Sequence, residues 1–463
     1  MLQVRTPLFV RPRKARLLVA AARRRLVLLL WLVPCLAAAL LMPASAQVPL
    51  PAGLVADKAD TAWMMVSTLL VLLMLFPGLA LFYGGLVRAK NMLSVLSQVL
   101  GVTALAVIVW IGWGYSLAFG SGNSIVGGLD KMFLNGVGAA ALVPTFTANV
   151  GIPEISFAAF QMSFAAITAA LITGALAERV KFSAIMLFAA LWLTVVYAPI
   201  ARMVWSPDGL IYRMGALDFA GGTVVHINAG IAGLVGVYFA GSRLGFLREP
   251  MQPHSLPLTI VGAGLLWVGW FGFNAGSALE ANSVAAMAMM DTFVAPAAGA
   301  LAWMLAERIS SGKASLLGGA SGLVSGLVGV TPAAGLCSPT GAILLGASAA
   351  IGAYLFIAFV KHRFRIDDTL DVFGIHGIGG IVGSLATGIV ASPALGGAGA
   401  ADYSIAHQLL VQSAAVGIAA AWCAGGSALC FLAVRNSIGL RHGEDAEREG
   451  LDIHDHGERA YSL

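Results

Sequence analysis

The sequence predicts an all-α polytopic membrane protein with eleven transmembrane helices. Three observations predict it. Hydrophobic residues make up 59% of the chain and charged residues 11%, against about 25% charged in a soluble domain. Apolar windows of about 20 residues, the length that crosses a bilayer, recur along the chain. Two of those windows also share an eight-residue pattern. So few charges cannot cover a water-exposed surface, which excludes a soluble enzyme and a disordered chain.

The first residues differ from the rest. Residues 1–46 hold eight basic side chains (Arg5, Arg11, Arg13, Lys14, Arg16, Arg23, Arg24, Arg25) and no acid. The apolar run Leu26–Met42 and the small-residue site Ala44-Ser45-Ala46 follow. This is the build of a cleaved secretory signal with a long basic region; Pro34 and the small residues argue against an uncleaved first helix. A membrane domain at 47–434 and a polar tail at 435–463 remain. Without the signal the net charge changes from +5 to −3, so a nucleic-acid partner has no support. Cys35 leaves with the signal. Cys337, Cys423 and Cys430 stay, with no CxxC and no neighbouring His cluster. Neither a metal site nor a disulfide framework is expected.

The eleven windows fall at 62–84, 95–119, 158–177, 182–204, 219–240, 257–277, 284–305, 315–330, 340–360, 373–391 and 407–433. The eighth is short and Gly-rich. Glycine is abundant throughout, with 56 residues, which suits helices that approach through small-residue faces. Alternate connections carry Arg88, Lys90, Arg179, Lys181, Arg243, Arg248, Arg308, Lys313, Lys361, Arg363 and Arg365. The other set carries only Lys131, Arg202 and Arg213. The richer set is therefore cytoplasmic. This places the mature N-terminus outside, as a cleaved signal requires, and the C-terminus inside.

The shared pattern is H-x-x-x-G-I-x-G. It runs from His226 to Gly233 in the fifth window and from His376 to Gly383 in the tenth. Five spans separate the copies, so they cross in opposite directions, the design of an inverted repeat. Each His then falls shortly after its helix enters the membrane, from opposite faces. Ionisable groups at such depth are costly and mark function by default. Imidazole can be neutral there while both donating and accepting hydrogen bonds. Two facing histidines could share a proton along an apolar pore; two separately satisfied packing histidines are the plainer alternative.

A second group collects at the outer ends. Trp205 closes the fourth window, Phe273 and Ser277 end the sixth, and Phe164 lies two turns into the third. Aromatic faces attract a partly desolvated cation by about 1–2 kcal/mol, and a Ser hydroxyl can accept its hydrogen bond. Taken alone, the group also fits an ordinary interfacial aromatic belt. Asp218 opens the fifth window as an N-cap and could draw cations to a pore mouth as well. Asp291 has no evident partner, and His254 and His362 read as solvated loop residues. HExxH, P-loop and GxSxG motifs do not occur, so neither an enzyme nor a cofactor is expected.

At this point the residues resemble the ammonium transporter family (Amt/Mep/Rh), in its bacterial branch. The segment Asp218-Phe-Ala-Gly-Gly-Thr-Val-Val-His226-Ile-Asn-Ala-Gly-Ile-Ala-Gly-Leu234, continuing to Arg243, is similar to that family's signature. So are Gly174-Ala-Leu-Ala-Glu178-Arg179, Gly269-Trp270-Phe-Gly-Phe273-Asn274-Ala-Gly-Ser277 and Asp371-Val-Phe-Gly-Ile-His376-Gly. The tail motif Glu447-Arg-Glu-Gly450-Leu-Asp452, followed by His456-Gly457-Glu458, resembles the same branch. The likeness runs from about residue 60 to 461.

The resemblance implies a homotrimer in the bacterial inner membrane, with one pore per subunit. It implies an inverted five-plus-five repeat plus one extra helix. An outer ammonium site falls on Phe164, Trp205 and Ser277, supported by Asp218. Phe164 and Phe273 correspond to a stacked phenyl gate with Trp270 beside the pore, and His226 and His376 to a twin-histidine pair. The cytoplasmic tail and loops imply a PII signalling partner. An ammonium sensor with little flux is the alternative within the same resemblance. Two positions depart from the pattern: Met162 replaces an expected smaller residue, and Asp291 an uncharged polar one. Neither belongs to the pore set.

Overall fold

The computed structural model describes residues 53–461. The proposed signal at 1–46 lies outside them. Eleven helices are long and apolar enough to span a bilayer, and each coincides with one predicted window. They are α1 (Lys58–Leu86), α2 (Ala89–Phe119), α3 (Glu154–Leu176), α4 (Phe182–Arg213, interrupted at Ser206–Gly209), α5 (Gly222–Ala240) and α6 (Leu256–Gly276). Then come α7 (Ser283–Ser311), α8 (Leu316–Ala333), α9 (Pro339–Arg363), α10 (Phe373–Val390) and α11 (Ile405–Ser437). A short helix, α12 (Glu444–Glu449), and a single turn, Asp452–His456, form the tail. The strands β1 (Val55–Ala56), β2 (Leu142–Pro144) and β3 (Val150–Pro153) make a small sheet in the order β1-β3-β2. Val55 pairs with Val150 in parallel and Val143 with Ile152 in antiparallel register.

A helix start exposes N–H groups that lipid cannot satisfy. Six helices solve this locally. Asp57, Ser255, Asn282, Ser315, Ser338 and Ser404 cap α1, α6, α7, α8, α9 and α11 with their own side chains. The starts of α5 and α10 use carboxylates a few residues upstream, described below. For α2 and α4 the caps come from the far end of the chain. Asp452 accepts from the Leu93 and Ser94 N–H groups at 3.1 and 2.8 Å, and Asp455 from Phe182 N–H at 3.2 Å. The tail is thus folded onto the helix ends.

The two predicted sets of connections separate into two networks. In the set poor in basic residues, Lys131 pairs with Glu154, and Arg202 and Arg213 both meet Asp208. In the set rich in them, Arg243 bridges Glu178 at 3.1 Å and Asp367 at 2.7 Å, and Arg88 reaches Glu178 at 2.8 Å. Burial alone would raise the Glu178 carboxyl, but Arg243 and Arg88 hold it below the usual range. Burial likewise opposes ionisation of Asp367, and the bonds and charge of Arg243, with Arg179 beyond, pull it down. Buried carboxylates survive only when so compensated.

Asp291 in α7 does have partners. Its carboxylate accepts the Gly335 N–H at 3.0 Å and faces the Cys337 thiol at 3.6 Å, fixing the turn after α8. Met162 is half-buried and packs at the edge of the main core. His254 is not simply solvated: its Nδ1–H donates to the Val87 carbonyl at 2.8 Å, and Nε2 lies 2.9 Å from the Tyr461 hydroxyl.

Candidate functional site

The site grows from the crossing of α5 and α10. Their glycines let the backbones meet, and a Cβ at Gly230 would run into the backbone of Gly377. Both helices open with a wide π-type turn, Gly222–Ile227 in α5 and Phe373–Ile378 in α10. Each turn presents its histidine to the crossing. His226 Nδ1 and His376 Nδ1 are 3.1 Å apart, their rings nearly parallel at 5.2 Å and 20°. Two Nδ1 atoms at that distance require one to donate and the other to accept, so a single proton lies between the two rings. The two side chains share a narrow cavity whose other walls are apolar: Met74, Leu79, Phe82, Ile167, Leu171, Leu266, Trp270 and Val324. His226 Nε2 is buried without a hydrogen-bond partner among the described residues.

The repeat extends further than the shared pattern. Asp218 stands eight residues before His226, and Asp368 eight before His376. Each accepts the N–H five residues on, Thr223 at 3.1 Å and Phe373 at 2.7 Å. Three residues after each Asp, the chain turns through positive φ, at Gly221 (φ 110°) and Asp371 (φ 59°). This turn brings the carboxylate over the helix start. Asp368 escaped the sequence comparison because the seven residues between Asp and His differ in the two copies. The common spacing of eight was the available signal.

The remaining candidates gather above His226. Trp270 stacks on its ring at 5.3 Å, with the indole N–H donating to Thr331 Oγ1 at 3.0 Å. Phe273 lies next, 6.0 Å from His226, and stacks on Phe164 at 4.1 Å and 16°. Trp205 meets Phe164 edge-on at 5.6 Å. Its indole N–H donates to the Asp218 carbonyl at 3.0 Å. Phe164 and Phe273 are fully buried, whereas Trp205 and Ser277 are partly exposed. The Ser277 hydroxyl donates to the Phe273 carbonyl at 2.9 Å, which leaves its lone pairs free to accept.

The cap expected of Asp218 is present. The Asp218 carboxylate does not point at the mouth as a free charge. It accepts the N–H groups of Gly221, Thr223 and Val224 at 3.1 to 3.2 Å. Its place in the group is to fix α5 with the carboxylate and Trp205 with the carbonyl.

An inverted-repeat membrane protein with a polar pair inside an otherwise apolar lumen is of the transporter class. The model of the Ammonium Transporter Family matches residues 62–461. An ammonium transporter of Aquifex aeolicus is 46% identical over 407 residues, covering 88% of this chain and 94% of the relative. Among solved structures, Candida albicans Mep2 superposes with a TM-score of 0.79 at 33% identity, over 90% of this chain and 95% of that one. A structure described as a sensor Amt protein gives a TM-score of 0.79 at 27% identity, over 86% and 98%. The chain belongs to the ammonium transporter family.

Proposed function

We propose that this protein conducts ammonium across the bacterial inner membrane, as neutral ammonia through the lumen of each subunit. The single observation that carries the reading is the proton-sharing histidine pair inside an apolar cavity. Moving a whole cation across hydrocarbon costs from about 3 to more than 10 kcal/mol. Ammonium avoids this by leaving a proton behind; potassium, similar in size, has none to leave. Trp205, Phe164 and Ser277 form the outer cation site, with Asp218 holding Trp205 in place. The Phe164–Phe273 stack is the gate, and Trp270 lines the step to His226. Ammonium gives its proton to water at the outer mouth, above the gate, and ammonia passes the histidines, whose Nδ1–H···Nδ1 bond offers a route by which a proton can follow separately.

The tail-bearing face is cytoplasmic, the mature N-terminus lies outside after signal cleavage, and the subunits form a homotrimer. The docked tail is a regulatory segment whose partner is a PII-type protein. Deleting Glu447–Leu463 should then lower PII affinity at least tenfold in pull-down or calorimetry; undiminished binding would remove the tail from this role.

The decisive test uses purified protein in sealed liposomes, with current recorded after an ammonium pulse and after an equal potassium pulse. An ammonium-selective signal that His226→Asp abolishes, in protein that still assembles, supports the reading. Current with ammonium means that the proton follows; alkalinisation of the lumen without current means that ammonia travels alone. Neither signal would favour a sensor, the second reading raised by the likeness to the sensor Amt structure.

A further inference from the structure

We propose that His442, His454 and Asp455 form a divalent-metal site, best suited to Zn2+, that fastens the tail to the cytoplasmic ends of α4 and α11. One candidate ligand atom from each residue lies within 4.8 Å of the others. His442 Nε2 is already 2.9 Å from Asp455 Oδ1, and the His442 and His454 rings stand edge to face at 4.8 Å. Ligand atoms around tetrahedral zinc, bonded at about 2.0–2.1 Å, sit roughly 3.3 Å apart. Two of the three atoms therefore stand near their final separation. The third needs only a rotation of His454, which is exposed and free to make it.

The donor set is two imidazoles and a carboxylate, the borderline nitrogen and oxygen ligands that zinc accepts, with a fourth position open to water or a partner. The surroundings orient it. Asp455 Oδ2 receives the Phe182 N–H at 3.2 Å, and the His442 backbone N–H donates to the Arg179 carbonyl at 3.1 Å. Such outer bonds fix the ligands before the ion arrives. The neighbouring guanidinium of Arg441 is turned away onto Glu447, so it does not oppose a cation. Eleven residues lie between His442 and His454, and only the folded tail brings them together. The three ligands join the segment after α11 to the tail turn, and Asp455 also caps α4. A bound ion would therefore hold the tail down at the surface where a cytoplasmic partner docks. The site stands independently of whether the lumen conducts.

The test uses full-length protein carrying no polyhistidine tag, stripped with chelator and titrated with Zn2+ against a metallochromic indicator. The expected result is one Zn2+ per subunit at micromolar affinity or tighter. His454→Ala should weaken it at least tenfold, while His454→Cys, which offers a thiolate, should retain it. Zinc should also slow tryptic cleavage at Arg459 severalfold in the wild type and not in His454→Ala. His454 is exposed, so its variants should keep the wild-type elution profile. Equal zinc binding by wild type and His454→Ala, or none at these concentrations, would overturn the site. Binding without protection of Arg459 would overturn its fastening of the tail.

Discussion

The two ends of the molecule position their helices by different means. At the end that carries Trp205 the parts are local: Asp218 caps α5 from four residues upstream, and Trp205, 13 residues before it, hangs from its carbonyl. At the end that carries the tail the parts are distant. Arg243 joins Glu178 to Asp367, and Asp452 crosses from the tail to cap α2. The inner counterpart of Asp218 shows the contrast within one repeat. Asp368 accepts the Phe373 N–H at 2.7 Å, has one carboxylate oxygen without a partner among the described residues, and is pushed up to about 6 by burial, which Lys361 opposes. Lys361 in turn donates to the Asp368 carbonyl and the Asp371 carboxylate at 2.6 and 2.5 Å. The end at Asp368 thus keeps a fixed ammonium group beside the start of α10, whereas the end at Trp205 offers aromatic faces. Under the proposed function, the aromatic end takes up the cation and the charged end serves release and control.

The largest expected effect compares the two aspartates directly. Asp218→Ala removes the acceptor of three N–H groups and frees the loop that holds Trp205, so ammonium flux in liposomes should fall more than tenfold. Asp368→Ala removes one such acceptor and should cost threefold or less. Equal losses would mean that the two mouths are mechanically equivalent. A smaller effect concerns recognition alone. Trp205→Leu keeps the bulk of the site but removes the indole face, worth about 1–2 kcal/mol to a desolvated cation. The ammonium concentration at half-maximal flux should rise about tenfold with the maximal rate little changed. A variant that fails to fold would make Trp205 an anchor instead.

The inner network answers to pH. Glu178 and Asp367 both ionise more readily in the fold than in the unfolded chain, so they stabilise it above about pH 4. That contribution is lost as pH falls through their lower folded values. Arg243→Met strands the buried Asp367 carboxylate and leaves Glu178 with Arg88 alone, at a cost of about 3–5 kcal/mol for a broken buried pair. The melting temperature should therefore drop markedly at pH 7, and the gap from wild type should narrow at pH 3. A gap independent of pH would mean that Arg243 matters through packing.

The same contrast explains what was legible beforehand. All eleven spans could be read because a bilayer imposes one length and one polarity on each. His226 and His376 could be paired because their flanking glycines share a crossing, which preserves the pattern around them. Phe164 and Phe273 were placed by resemblance, since nothing local tells a stacked pair from an interfacial belt. Asp368 was missed because only its distance from His376 is repeated. The tail could be read as a cytoplasmic regulatory segment but not as a docked one, for its docking depends on carboxylates that cap helices more than 250 residues away. Periodicity carries no trace of such a bond.

The smallest predicted effect tests that long reach. Asp452 accepts the Leu93 and Ser94 N–H groups, and loss of a helix cap costs about 1 kcal/mol. Asp452→Asn keeps the shape but weakens one of the two bonds, because only one of its side-chain atoms can accept. Hydrogen exchange at Leu93 and Ser94 should accelerate by up to about fivefold, the ratio that 1 kcal/mol represents for a local opening. Ammonium flux should stay within twofold, since the lumen histidines rest on α5 and α10 and the altered cap sits on α2. Exchange left unchanged at these two amides would show that the tail is held by its other contacts. A large loss of flux would mean that the inner end, despite its distance from the histidines, governs the pathway itself.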